Sequence, residues 1–120
     1  MINPDAAGRP KPLSAVNLQH LLEDANPPRI VDVREDQELA VAAFPGDVLH
    51  LPLSAADRWM DDLLDQFNGD QDVVVVCHAG VRSWQFGCWL LAQRPDLTVW
   101  NLEGGIDAWS QQVDPGVPRY

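Results

Sequence analysis

Residues 73–91 read VVVVCHAGVRSWQFGCWLL. The run Asp72–Cys77 predicts a central β-strand covered on both sides, because a strand with one solvated face would alternate apolar and polar residues. From Ser83 to Gln93 apolar residues recur at helical spacing, and Arg94-Pro95 ends that helix. A buried strand feeding directly into a helix is the building unit of a parallel α/β sheet.

The same alternation extends in both directions. Upstream, Ser14 is placed to cap a helix carrying Leu18, Leu21, Leu22 and Ala25, which "NPP" at 26–28 stops. "RIVDV" (29–33) predicts a short buried strand. A brief helix around Asp36–Ala42 and the turn "FPGD" (44–47) precede a strand over "VLHLPL" (48–53). Ser54 is then read as the cap of a helix that places Trp59, Met60, Leu63, Leu64 and Phe67 on one face. Asp57, Asp61, Asp62 and Asp65 form its solvated side. Downstream, "LTVWNL" (97–102) predicts a strand, "EGG" a turn, and Ile106, Trp109 and Val113 a last short helix. These lengths imply one α/β domain with a central, mainly parallel five-stranded sheet and helices on both faces. Residues 1–11, rich in proline, read as an N-terminal arm ending near a short edge strand, and 12–120 as the folded domain.

The chain has 120 residues, 46% apolar and 22% charged, which is ordinary for a soluble globular domain. No apolar run approaches the roughly 20 residues that span a bilayer, and the start shows no secretory h-region. A cytoplasmic protein is the expectation. A net charge of −10 argues against nucleic acid or an anionic membrane as partner. It also requires any anionic substrate to be attracted by a local field. The two cysteines, Cys77 and Cys88, are too few for a disulfide framework and lack metal-site spacing, so no metal is expected.

Cys77 ends the predicted central strand, at the carboxyl edge where open α/β sheets bind ligands, and Asp32 and Arg34 fall on the same edge. The loop His78, Ala79, Gly80, Val81, Arg82 must turn tightly before a helix near Ser83. Gly80 permits positive φ there. A loop curled in this way points successive N–H groups inward as an anion-binding nest, and the helix N-terminus adds about half a positive charge. Such surroundings lower the pKa of a thiol from about 8.5 and favour the nucleophilic thiolate. Read alone, Cys77 is a small buried apolar residue and Arg82 a surface cation; their shared loop favours chemistry. Cysteine phosphatases and arsenate reductases separate their cysteine and arginine by one residue more than the five positions here. The shorter loop makes a smaller cradle, suited to a bound sulfur atom.

"VVVVCHAGVRS" (73–83) resembles the active-site loop of the rhodanese family, "VDVRE" (31–35) with Glu38 its upstream motif, and "NLEGGIDAW" (101–109) its C-terminal motif. The closing "VPRY" is similar to the end of small single-domain members. The resemblance implies a sulfurtransferase of the thiosulfate type. Cys77 would take a sulfane sulfur as a persulfide and pass it to cyanide in assay or a thiol in the cell, without metal or organic cofactor. Partners would be small-molecule donors and acceptors, with a protein persulfide as a further candidate. The resemblance gives Arg82 the donor's sulfonate end, and sets Asp32 and Arg34 beside the loop as braces; without it they read as a surface ion pair. Ser83 would support the loop. His78 reads as an exposed loop side chain, Cys88 as core filler, Trp84 as a residue able to border the pocket, and Gly104-Gly105 as the turn bringing the last helix close to the loop. A protein-binding module on the same fold is the alternative function. After "DVRE", the stretch "DQELAVAAFPGDVLHLPL" departs from the family: Ala42-Ala43-Phe44 takes the place of the aromatic and histidine often found there.

Overall fold

A computed structural model describes residues 8–120. Its five strands are β1 (Lys11–Leu13), β2 (Arg29–Asp32), β3 (Val48–His50), β4 (Val73–Val76) and β5 (Val99–Leu102). They form one sheet in the order β1-β5-β4-β2-β3, with every neighbouring pair parallel. The helices are α1 (Ala15–Leu22), α2 (Asp36–Val41), α3 (Ala56–Leu63), α4 (Val81–Gln93) and α5 (Gly105–Gln112). Of the predicted N-terminal arm, residues 1–7 lie outside the described residues.

β4 is the middle strand because its sequence tolerates no water on either side. All four of its valines are at most 1% exposed. Since successive side chains alternate faces, Val73, Val75 and Cys77 pack with Leu63, Phe86 and Leu90 beneath α3 and α4, while Val74 and Val76 join Leu18, Ile106 and Trp109 beneath α1 and α5. Each buried valine contributes roughly 1.5–3 kcal/mol, an upper bound set by the extended-chain reference. The two cores clamp the sheet, and because all strands run one way, the ends of β2, β4 and β5 come out at one edge.

Local chemistry sets most boundaries. Ser14 Oγ accepts the Asn17 amide at 3.1 Å and starts α1 as expected, although the helix stops at Leu22 and leaves Ala25 exposed. Ser54 does not cap α3. Its amide and hydroxyl both bond to the Glu35 carboxylate, and α3 starts one residue later, at Ala56 after Ala55, with no side-chain cap. Pro52 lacks an amide, so β3 ends at His50 and Leu53–Ala55 form a 3-10 turn. On α3, Leu63 is buried and Trp59 packs edge-on to Phe86 and Trp89, whereas Met60 is exposed. The aspartates of α3 are exposed as read. Among the described residues no helix is long and apolar enough to cross a membrane.

Candidate active site

The turn after β4 is tighter than the sequence reading placed it. Gly80 sits at φ +105°, a conformation side chains resist, and it reverses the chain so sharply that α4 begins at Val81 rather than Ser83. The loop proper is His78–Gly80, and Val81 and Arg82 stand in the first helical turn. Curling the loop directs the Gly80 amide back to Cys77 Sγ at 3.0 Å. Ser83 Oγ, one turn into α4, lies 3.1 Å from the same sulfur.

Asn101, from β5, fixes this arrangement and was not singled out from sequence. Its Nδ2 donates to the Gly80 carbonyl at 3.0 Å, so its Oδ1 faces Ser83 and accepts the hydroxyl proton at 2.5 Å. With that proton committed, Ser83 presents a lone pair to Cys77, and the thiol S–H is the donor between them. When the sulfur ionises, the hydroxyl can turn its proton to Sγ. A polar residue in an otherwise apolar strand was the available signal.

A second helix also ends on the loop. The first-turn amides of α5 have no partners inside the helix; Ile106 donates to the Cys77 carbonyl at 2.9 Å and Asp107 to the His78 carbonyl at 3.2 Å. The N-terminus of α4 therefore faces the sulfur through the Gly80 amide, while that of α5 holds the loop backbone at Cys77 and His78. This approach requires Gly105, where an added Cβ would lie 2.4 Å from the Cys77 oxygen and 2.3 Å from the His78 oxygen. The Gly104-Gly105 turn has the task the sequence reading assigned to it.

Cys77 is only 1% exposed, so its sulfur lies beneath the loop rather than on an open surface. His78 is half-buried, not exposed as read: its ring packs against Tyr120 with centroids 4.3 Å apart. Ala79 and Val81 are exposed, and Trp84 points outward at 40% exposure. Cys88 is half-buried, and burial pushes its thiol pKa up.

Asp32 and Arg34 are no surface pair. Both are fully buried, with Arg34 Nη2 2.7 Å from Asp32 Oδ2 and Nε bonded to the same carboxylate. Arg34 Nη1 donates to the Ala42 carbonyl at 2.8 Å and to the Tyr120 hydroxyl at 3.0 Å. These bonds tie down the end of α2 and Tyr120, so the pair reaches the cysteine loop through the Tyr120 ring on His78 rather than by a direct bond. Burial works against the Arg34 charge, but the bonds from Asp32 and Tyr120 outweigh it and hold its pKa above the usual arginine value.

Arg82 is within electrostatic reach of Cys77, yet its guanidinium is bound elsewhere. Nη1 meets Glu38 Oε1 at 2.6 Å and Nη2 meets Oε2 at 2.9 Å. Arg82 holds the Glu38 carboxyl down to about 2, aided by the Glu35 amide and Tyr120 and opposed by burial. Burial raises the Tyr120 pKa, so the neutral phenol donates to Glu38 Oε2 at 2.8 Å. Tyr120 gave no periodic signal, because it lies in an irregular tail.

A rhodanese-like domain model matches residues 14–112. The chain belongs to the rhodanese-like domain family. It is 38% identical over 92 residues to the rhodanese-like/PpiC domain-containing protein 12 of Arabidopsis thaliana, aligning 77% of this chain and spanning 30% of that protein's length. It is 34% identical over 103 residues to a sulfurtransferase of Allochromatium vinosum, covering 86% of this chain and 91% of that one. The crystal structure of a rhodanese-like domain protein from Staphylococcus aureus superposes with a TM-score of 0.70 at 29% identity, over 92% of this rhodanese-like chain and 98% of the other.

Proposed function

We propose that this rhodanese-like domain is a sulfurtransferase that carries sulfane sulfur as a persulfide on Cys77. The observation that carries the reading is the surroundings of one sulfur: the Gly80 amide at the start of α4 and Ser83 Oγ both meet Cys77 Sγ, on a loop whose carbonyls are held by the first-turn amides of α5. An anion placed there gains hydrogen bonds and favourable dipoles that a neutral thiol does not. The likeness to the sulfurtransferase of Allochromatium vinosum, which aligns over most of both chains, supports it.

The chemistry balances without a cofactor. The Cys77 thiolate attacks the outer sulfur of a donor such as thiosulfate. A new S–S bond forms, the donor's S–S bond breaks, and its electron pair leaves with sulfite. The product is an anionic persulfide at Cys77. An acceptor, cyanide in assay or a thiol in the cell, attacks the outer persulfide sulfur and returns the Cys77 thiolate. Loop residues His78 and Ala79 and the first helical residue Val81 frame the approach, and Ser83 supplies a donor to the charge. We take the site of action to be the cytoplasm, with small-molecule donors and acceptors and a protein persulfide as a further source.

Thiocyanate production from thiosulfate and cyanide tests the reading. Activity should fall to background in Cys77→Ser and persist in Cys88→Ser. Activity that survives Cys77→Ser, or none with any sulfane donor, overturns it; the latter result favours a protein-binding module.

A further inference from the structure

The cation that opens α4 is already matched by an anion. Both terminal nitrogens of Arg82 are engaged by the two oxygens of Glu38. That carboxylate is held from behind as well: the Tyr120 hydroxyl donates to Oε2 at 2.8 Å and the Glu35 amide to Oε1 at 3.1 Å. Tyr120 is itself anchored by Arg34, whose charge is met by Asp32. Glu38 is ionised at any working pH, since Arg82 holds its pKa down to about 2. The two arginines and two carboxylates of this cluster cancel. Beyond it, the Asp107 carboxylate at the start of α5 is paired with Arg119. The molecule as a whole is at −10.

The attraction left for a substrate anion is therefore that of backbone amides and helix ends around the sulfur. Such dipoles suit a single charge at one point. They do not offset the second charge that thiosulfate carries on its sulfonate end. We propose that Glu38, by neutralising Arg82, is a specificity-determining residue that selects sulfur donors of low charge, a persulfide or monoanionic thiosulfonate, over the thiosulfate dianion. The proposal rests on the sulfurtransferase reading. The transfer step is the same for either donor: the Cys77 thiolate bonds to the sulfane sulfur, and the donor's S–S electron pair departs with thiolate, sulfinate or sulfite. The donors differ in the charge they bring beside Glu38.

Methanethiosulfonate and thiosulfate form a suitable pair, since both donate sulfur from an S–S bond to an oxidised sulfur and differ by one charge. Second-order rates of Cys77 persulfide formation are measured for each donor in wild type, Glu38→Gln and Tyr120→Phe. Glu38→Gln should raise the thiosulfate-to-methanethiosulfonate rate ratio about tenfold, the effect of removing one charge a few ångströms away at a partly exposed site. Tyr120→Phe, at an exposed residue, removes the hydroxyl that accepts from Arg34 and holds the Glu38 carboxylate against Arg82. The ion pair is loosened, Arg82 is freer to meet a donor's second charge, and the ratio should move the same way by less. It keeps the test open if the first variant folds poorly. A ratio that stays constant or falls in both variants, with Cys77 still loaded by both donors, overturns the proposal while leaving sulfur transfer intact. Failure of both donors to load wild-type Cys77 overturns the sulfurtransferase reading itself, and the proposal with it.

Discussion

At Ser83 a single proton has two claimants. In the thiol state it goes to Asn101 Oδ1, and the serine oxygen accepts from Cys77. In the thiolate or persulfide state it can turn to the charged sulfur. A hydrogen bond to a charged group contributes about 1.5–3 kcal/mol, so Ser83→Ala should lower kcat/KM for sulfur transfer on the order of ten- to a hundredfold, and should cost about 1–3 kcal/mol of stability because buried Asn101 Oδ1 loses its donor. Gly105 makes the opposite kind of demand. Its φ of +60° and the carbonyls 2.3 and 2.4 Å from any added Cβ mean that Gly105→Ala must push α5 off the loop. A loss of about 3 kcal/mol or more, read by denaturant unfolding, is expected, together with loss of activity. Gly46→Ala is the control: φ is +90° but nothing lies within 4 Å, so only backbone strain of about 1–2 kcal/mol is added.

Among the elements, α2 and α4 are joined through Glu38 and Arg82, and the pair makes stability pH-dependent. The Glu38 carboxyl is depressed in the folded state to about 2, so its stabilisation is present above the ordinary carboxylate range and is lost as pH falls through about 2. Between about pH 4.5 and 2 the wild type should lose on the order of 2 kcal/mol that Glu38→Gln does not lose, as read by urea unfolding across that range. The partial exposure of Arg82 keeps the figure modest. Element order and type were legible in the sequence because valine runs and helical spacing are local signals. The starts of α3 and α4 were not. Ser54 has the composition of a cap but its hydroxyl is taken by Glu35, nineteen positions away. At α4, one glycine turned the chain two residues earlier than periodicity implied.

In the whole molecule, an acidic surface surrounds a sulfur whose positive field is made of backbone. Because surface repulsion is screened within about 8–10 Å at ordinary salt and the local dipoles are not, thiosulfate loading should quicken as ionic strength rises from a few millimolar to physiological. A rate that falls steeply with salt would mean that an unpaired cation draws the donor in. The cysteine, Gly80 and the edge of the sheet on which they stand were legible because strand, loop and helix are contiguous in the chain. What converges from a distance was not: Asn101 on the thiol, Tyr120 on Glu38, and the burial of Asp32 and Arg34 depend on strand order and tail path, which no local pattern encodes. The most direct test is mass spectrometry of the protein after incubation with a sulfane donor and removal of the excess. The account predicts one added sulfur atom, mapped to Cys77, removed by dithiothreitol, absent from Cys77→Ser and retained in Cys88→Ser. An unmodified Cys77 after every sulfane donor, or an adduct mapped to Cys88 alone, would contradict it.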